Sequence, residues 1–198
     1  MRPATRITLL ALVAIVLAHL GDQYAWLHLE KPGVYDRDFG RMLRVVGYLP
    51  LWLLLGGALW LQTRDRRRAL LLALTPALGG LLAEVLKILL RRERPGLHQG
   101  EYFFRPFSDQ PFYTRDLGLP SSHALVAFAG TWLLCRLYPK AWPVWLFLGA
   151  GCAFSRVQAH AHFLSDVTVA AVAAYVLVAW VWGRWGAEAT HASPESHR

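Results

Sequence analysis

Six runs without a charged side chain, residues 7–21, 45–63, 69–83, 117–135, 141–155 and 167–183, dominate the chain of 198 residues. Each comes near the ~20 residues a helix needs to cross ~30 Å of hydrocarbon, and most extend by a turn into their flanks. The composition agrees, with 55% hydrophobic and only 17% charged residues. A domain of this length leaves roughly 30% of its unfolded surface in contact with solvent, and a chain this apolar has too little polar surface to supply that contact in water. The fold class expected is therefore all-α: a polytopic membrane protein with one domain, 1–198, and six transmembrane helices in a bundle. The spans fall near 7–27, 45–63, 69–90, 117–138, 141–158 and 162–183, with a short cytoplasmic tail at 184–198. Arg2 and Arg6 ahead of the first run suit a signal peptide, but no small-x-small cleavage pattern follows Leu20, so a retained anchor is expected. Disorder, a coiled coil and a disulfide scaffold are excluded. Cys135 and Cys152 both sit in apolar runs and are expected to pack as small buried hydrophobes.

Basic residues set a sidedness. With the N-terminus inside, the cytoplasmic segments hold Arg2, Arg6, the cluster Arg64, Arg66, Arg67 and Arg68, then Arg136, Lys140 and Arg184. The two long loops, 22–44 and 91–119, share the opposite side. That side also carries cations, including Arg37, Arg44, Arg91, Arg92, Arg94 and Arg156, so the clustered second loop decides the orientation. The expected location is a bacterial cytoplasmic (inner) membrane, with both termini cytoplasmic and the long loops, with the polar stretches beside them, on the extracytoplasmic face. The second long loop contains Tyr102, Phe103, Phe104, Phe107, Phe112 and Tyr113, which reads as an aromatic belt at headgroup level or a lid over an amphiphilic substrate.

Three polar stretches meet at that outer face. The end of the third span carries Glu84 and Lys87, which either pair with each other or serve a site, since intramembrane charge is costly. Lys87, Arg91 and Arg94 follow at helical spacing and would face one way until Pro95 ends the helix. A cationic stripe turned into a bundle calls for an anion; turned outward, it is a snorkelling rim. Pro120, Ser121, Ser122 and His123 open the fourth span, where capping residues and free helix-terminal N–H groups also form an anion cradle. At the junction of the last two spans lie Ser155, Arg156, His160, His162 and Asp166. His162 and Asp166, four apart, would share a face of the sixth span, the carboxylate holding one ring nitrogen protonated and leaving the other as nucleophile or base. His160 would point elsewhere, so a metal pair is not expected.

Together, Lys87-x6-Arg94-Pro95, Pro120-Ser121-x-His123 and Ser155-Arg156-x5-His162-x3-Asp166 resemble the signature of the type 2 phosphatidic acid phosphatase (PAP2) superfamily, integral-membrane lipid phosphatase branch. The resemblance covers most of the chain, and the six-span layout is also similar to that family's. One position departs: Ser122 stands where the family usually has Gly, which keeps the backbone N–H but would be strained if that turn required φ > 0.

The resemblance implies that Lys87, Arg94 and Arg156 bind phosphoryl oxygens together with Ser121 and the Ser122 backbone. It implies that His162 attacks phosphorus to form a phosphohistidine, that Asp166 orients His162, and that His123 protonates the leaving alkoxide. These roles suit phosphoryl transfer, which asks mainly for charge neutralisation and in-line positioning. No cofactor and no metal are called for. The implied partners are the phospholipid bilayer and a lipid phosphate or pyrophosphate, such as phosphatidate, phosphatidylglycerol phosphate, an isoprenyl pyrophosphate or a lipid A phosphate; no nucleic acid is implied. The rival readings are a lipid phosphotransferase using the same phosphohistidine and a non-catalytic membrane transporter. The soluble vanadate haloperoxidases of the family are argued against by the six apolar spans.

Overall fold

A computed structural model describes residues 3–186, so Arg2 and positions 187–198 of the expected tail lie outside the described residues. Among those described there are seven α-helices: α1 (Pro3–His28), α2 (Asp38–Val45), α3 (Leu49–Thr63), α4 (Arg66–Leu90), α5 (Ser122–Leu137), α6 (Trp142–Gln158) and α7 (Leu164–Trp185). Single 3-10 turns occupy Pro95–Leu97 and Pro139–Ala141. α1, α4 and α7 are long and apolar enough to cross a membrane, and α2 with α3, bent by 70° at a short break, forms a fourth candidate. α5 and α6, of 16 and 17 residues, reach only ~24–26 Å at 1.5 Å per residue.

The helix boundaries depart from the sequence expectation in three places. First, α2 occupies what was expected as loop, because the break at Gly47 and Pro50, early in α3, lets a separate amphipathic turn form ahead of the span. Second, α5 starts at Ser122 rather than near 117. Pro120 biases Leu119 away from the helical region, and residues 117–118 instead pair with the segment after α4: Glu93 bridges Leu117, and Gly118 N–H donates to Arg92 O at 2.7 Å. Third, α4 ends at Leu90. Arg91 adopts the left-handed conformation, with φ 55°, and Arg94 is extended before Pro95. The expected single-face stripe Lys87, Arg91, Arg94 is therefore not a helix face at all.

Arg91 is diverted to another task. Its buried guanidinium donates to the carbonyls of Arg105, Pro106, Asp109 and Pro111 at 2.5–3.0 Å, tying the aromatic loop to the end of α4. Glu93 adds a second tie through Arg105 at 2.6 Å and His98 at 2.7 Å. Burial alone would raise the Glu93 pKa, but those two hydrogen bonds and charges hold it below the usual carboxylate value. Irregular backbone at membrane depth survives only where protein satisfies it, and these residues do so.

α5 is the axis of the bundle, packed by α4, α6 and α7, while α1 lies against α7 and α3 against α4. Almost every residue of α5 from Ala124 to Leu134 is buried, as suits a helix apolar on all sides. The contact surfaces are built from small side chains: Ala124 and Ala129 of α5 meet Ala83 of α4, Ala153 of α6, and Ala170 and Ala174 of α7. In lipid, where apolar burial between helices gives little drive, such close approach supplies the packing attraction. Cys152 is buried as expected, whereas Cys135 is only half-buried.

Trp52 of α3 lies against Gly130 of α5, its indole N–H donating to Val46 O at 2.8 Å. A Cβ at Gly130 would stand 2.3 Å from that ring. Gly130→Val should lower stability by roughly 1–3 kcal/mol through overpacking, read as a fall in melting temperature of the detergent-solubilised protein; an unchanged melting temperature would show that α3 is not seated on α5 in this way.

Candidate active site

The C-terminal ends of α4 and α6 and the N-terminal ends of α5 and α7 lie at one end of the bundle, which gathers the sequence-identified residues. His162 precedes α7 instead of riding on it, with Phe163 as the N-cap. The ring is nevertheless buried, with Nδ1 at 3.0 Å from Gly118 O and 3.5 Å from Asp166 Oδ2. Both partners are acceptors, so the proton is assigned to Nδ1, and Nε2 is left with its lone pair. Asp166 is fully buried; its Oδ2 accepts Phe163 N–H at 2.8 Å and its Oδ1 accepts Arg92 Nη2 at 2.5 Å.

Cations surround this pair. His162 and His123 both feel the charges of Arg94 and Arg156, and His123 feels that of Arg44 as well. Arg94 is half-buried, and burial together with the charge of Arg156 disfavours its cation. The Nε atoms of Arg94 and Arg156 are buried without a protein hydrogen-bond partner. Arg156 is held from one side by Tyr35, which accepts from Nη1 at 3.1 Å and lies under the guanidinium at 5.7 Å. Arg44 stacks on the same ring at 4.8 Å.

Ser121 caps α5, accepting Ala124 N–H at 3.4 Å, while its own N–H donates to Asp166 O at 3.3 Å. Ser122 takes an ordinary helical conformation, so the strain that a positive φ would have brought does not arise. Its hydroxyl donates at 2.7 Å to Glu84, whose Oε1 also accepts from Lys87 at 2.9 Å. Lys87 pairs with Glu84, as one reading expected, and lies within electrostatic reach of Arg94 and Asp166. His123 is seated against the turn before α3, where a Cβ on Gly47 would come within 2.6 Å of His123 O and 2.9 Å of its Cβ. Only glycine allows that approach. His160 stands apart, stacked on Trp26 at 3.7 Å with Nε2 against Trp26 O at 3.0 Å.

Several contributors escaped sequence reading. Arg92, Tyr35 and Arg44 lie outside the spaced motifs, and Ser165 and Asp22 looked like ordinary polar residues at span ends. The one available signal was Asp22, a carboxylate closing an otherwise charge-free run.

The arrangement offers a buried imidazole with a bare nitrogen beside two guanidinium groups short of partners, an ammonium and the amide end of a helix. That is an anion cradle next to a nucleophile or base. Comparison with curated proteins returns no match. The fold is similar to a solved structure, the first transmembrane PAP2-type phosphatidylglycerolphosphate phosphatase from Bacillus subtilis, with a TM-score of 0.66 and 19% identity over 93% of this chain and 96% of that one. With its long apolar helices, the protein is an integral membrane protein. Residues 68–188 match the PAP2 superfamily and include every residue of the three spaced motifs. Over half of its length, and with its reactive side chains inside the matched part, the chain belongs to the PAP2 superfamily.

Proposed function

We propose that the protein is a membrane-embedded, metal-independent phosphatase that hydrolyses a lipid phosphate or pyrophosphate through a phosphohistidine. The observation that carries this reading is the bare Nε2 of His162, oriented by Gly118 O and Asp166, beside the partnerless Nε atoms of Arg94 and Arg156. Lys87, Arg94, Arg156, the Ser121 hydroxyl and the backbone N–H of Ser122 bind the phosphoryl oxygens and neutralise charge as it shifts. Nε2 attacks phosphorus, the bond to the lipid oxygen breaks, and His123 gives that oxygen its proton. Water then attacks the phosphohistidine, returning a proton to His123 as the P–N bond breaks, and inorganic phosphate leaves. A nucleophile thereby splits one difficult displacement into two easier ones.

Six spans follow if α2 with α3, the short α5 and α6, and the three long helices each cross. The arginine cluster at the α3–α4 turn is ~37 Å from the site end along α4, and Arg67 donates to Trp185 O at 2.7 Å, so the end of α7 lies with that cluster. With that cluster taken as cytoplasmic, the site belongs on the outer face of the membrane, a reading that the positive-inside preference supports and that is consistent with a bacterial cytoplasmic membrane. Exposed Phe103, Phe107 and Phe112 suit an amphiphilic substrate at the headgroup boundary. The Bacillus subtilis neighbour is described as acting on phosphatidylglycerolphosphate, which supports that lipid as the first to try; phosphatidate, isoprenyl pyrophosphate and lipid A phosphates complete the panel.

The purified protein should release inorganic phosphate from at least one of these lipids with EDTA present and no acceptor lipid added. Transfer to an added acceptor lipid with no release in its absence would instead identify a phosphotransferase, and neither release nor transfer would favour the non-catalytic rival. His162→Ala should abolish turnover. In single-turnover release of the leaving group, which isolates the first step, His123→Ala should cost on the order of 10²–10⁴ with a lipid alkoxide and far less with an activated aryl phosphate, so equal losses on both substrates would sink the assignment of the acid.

Glu84 generates a separate expectation. Its carboxylate competes with phosphate for Lys87 and Ser122, so Glu84→Gln should tighten product inhibition by phosphate about tenfold, a modest share of the attraction available at such distances. Weaker inhibition would mean that Glu84 serves mainly to aim Lys87.

A further inference from the structure

The turn that carries His162 and Asp166 has a weak point. Phe163, at the N-cap of α7, has no polar side chain with which to satisfy the first helical N–H groups. Asp166 reaches back to one of them, Phe163 N–H. A second is satisfied from a different helix: Asp22, 3% exposed near the outer end of α1, accepts Ser165 N–H on Oδ1 at 2.7 Å. Its Oδ2 accepts the Ser165 hydroxyl and, at 2.6 Å, the hydroxyl of Tyr102 from the aromatic loop.

The chain of contacts continues to the nucleophile. Ser165 Oγ accepts Arg92 Nη2 at 2.6 Å, the same nitrogen donates to Asp166 Oδ1 at 2.5 Å, and Asp166 Oδ2 faces His162 Nδ1 at 3.5 Å. Arg92 lies against the rings of Tyr102 and Phe163, at 4.8 and 5.0 Å, which themselves meet edge to face at 4.9 Å. One buried cation thus stands between two buried carboxylates, one contributed by α7 and one by α1. A carboxylate at the first turn of α7 also meets the positive end of the helix dipole. Tyr102 is a firm donor in this chain, since burial and the adjacent Asp22 raise its pKa to about 12. Asp22 lies outside the matched residues 68–188.

We propose that Asp22 is a positioning residue for His162: from α1 it clamps Ser165 at the start of α7 and, through Arg92 and Asp166, fixes the ring so that Nε2 faces the phosphate. This rests on the phosphohistidine reading for its catalytic consequence, but the clamp itself is independent of it. A misplacement of about 1 Å at a reacting group can cost ~10²-fold, whereas the cradle of Lys87, Arg94 and Arg156 does not contact Asp22.

The test uses the full-length protein in detergent, comparing wild type with Asp22→Asn, Asp22→Ala, Ser165→Ala and Tyr102→Phe. Imidazole ¹⁵N resonances of His162, assigned by their loss in His162→Ala, report the ring directly. Wild type should show a single form with Nδ1 protonated; Asp22→Ala should show a mixture of tautomers, and Asp22→Asn, which keeps one acceptor for Ser165 N–H, a smaller change. In the activity assay, kcat should fall about 10²-fold in Asp22→Ala and less in Asp22→Asn. The fall should be equal for aryl and lipid phosphates, with inhibition by inorganic phosphate unchanged within about twofold. Unchanged His162 resonances in the Asp22 variants would overturn the proposal, as would unchanged kcat in an active enzyme. If Asp22→Ala fails to fold, Asp22→Asn and Ser165→Ala give the same two readings. Altered resonances in a protein whose wild type releases no phosphate would leave the clamp standing and remove the hydrolytic function.

Discussion

The contact between Arg92 and Asp166, 2.5 Å long and almost wholly buried, is the constraint on which the rest of this end of the bundle depends. Removing two such charges from water costs several kcal/mol each, and their attraction offsets this only where geometry and further hydrogen bonds are good. Here the contact is short and further hydrogen bonds support it, although Arg92 Nε has no protein partner. The carboxylate is also bonded by Phe163 N–H, the guanidinium donates to Ser165, and the edge-to-face pair of Tyr102 and Phe163 packs against the guanidinium. The pair joins the segment leaving α4 to the first turn of α7, so two of the three motif regions take their relative position from it. Deleting one partner alone would strand a buried charge, at a cost of about 3–5 kcal/mol.

A few ångströms away the accounting is left open. Arg94 and Arg156 repel each other, and each has a buried Nε that no protein atom satisfies. Arg92 shares an unpartnered Nε but is neutralised by Asp166, whereas Arg94 and Arg156 have no comparably close carboxylate among the described ion pairs, which leaves a cup suited to an external anion. Glu84 supplies part of that complement from inside, bonded to Lys87 and Ser122 at the rim. A cradle that held phosphate with every cation uncompensated would bind product as tightly as substrate. Only interactions stronger in the transition state speed the reaction, so an internal carboxylate that weakens ground-state capture is compatible with turnover.

Much of this was legible in the chain. Charge-free runs located α1, α3, α4, α6 and α7 within a few residues, and the spacing of Lys87, Arg94, Ser121, His123, Arg156, His162 and Asp166 marked residues that the fold then brings together. The misreadings have physical causes. Helical periodicity was extended through Arg91 and Arg94 although Pro95 already constrained the residue before it. Arg91 then became a scaffold for four loop carbonyls, which no local pattern announces. His162 was placed on a helix because a four-residue interval suits one; the same interval is served by a loop residue and the N3 position of the following helix. Asp22, Tyr35 and Ser165 act through contacts across 73 to 143 sequence positions, and a single sequence holds no record of such pairings.

The aromatic loop bears on how a lipid reaches the cup. A free lid would need a base able to hinge, yet both sides of this loop are fastened: Arg91 binds four of its carbonyls, Arg105 is paired with Glu93, and Tyr102 is bound to Asp22. What remains exposed is the row of rings at Phe103, Phe107 and Phe112. Rings of that kind rest at the boundary between headgroups and acyl chains. The loop is therefore better described as a fixed platform than as a hinged lid. Because Arg91 and Arg92 are adjacent, and one ties the aromatic loop while the other ties Ser165 and Asp166, one corner at the end of α4 fixes both the loop and the start of α7.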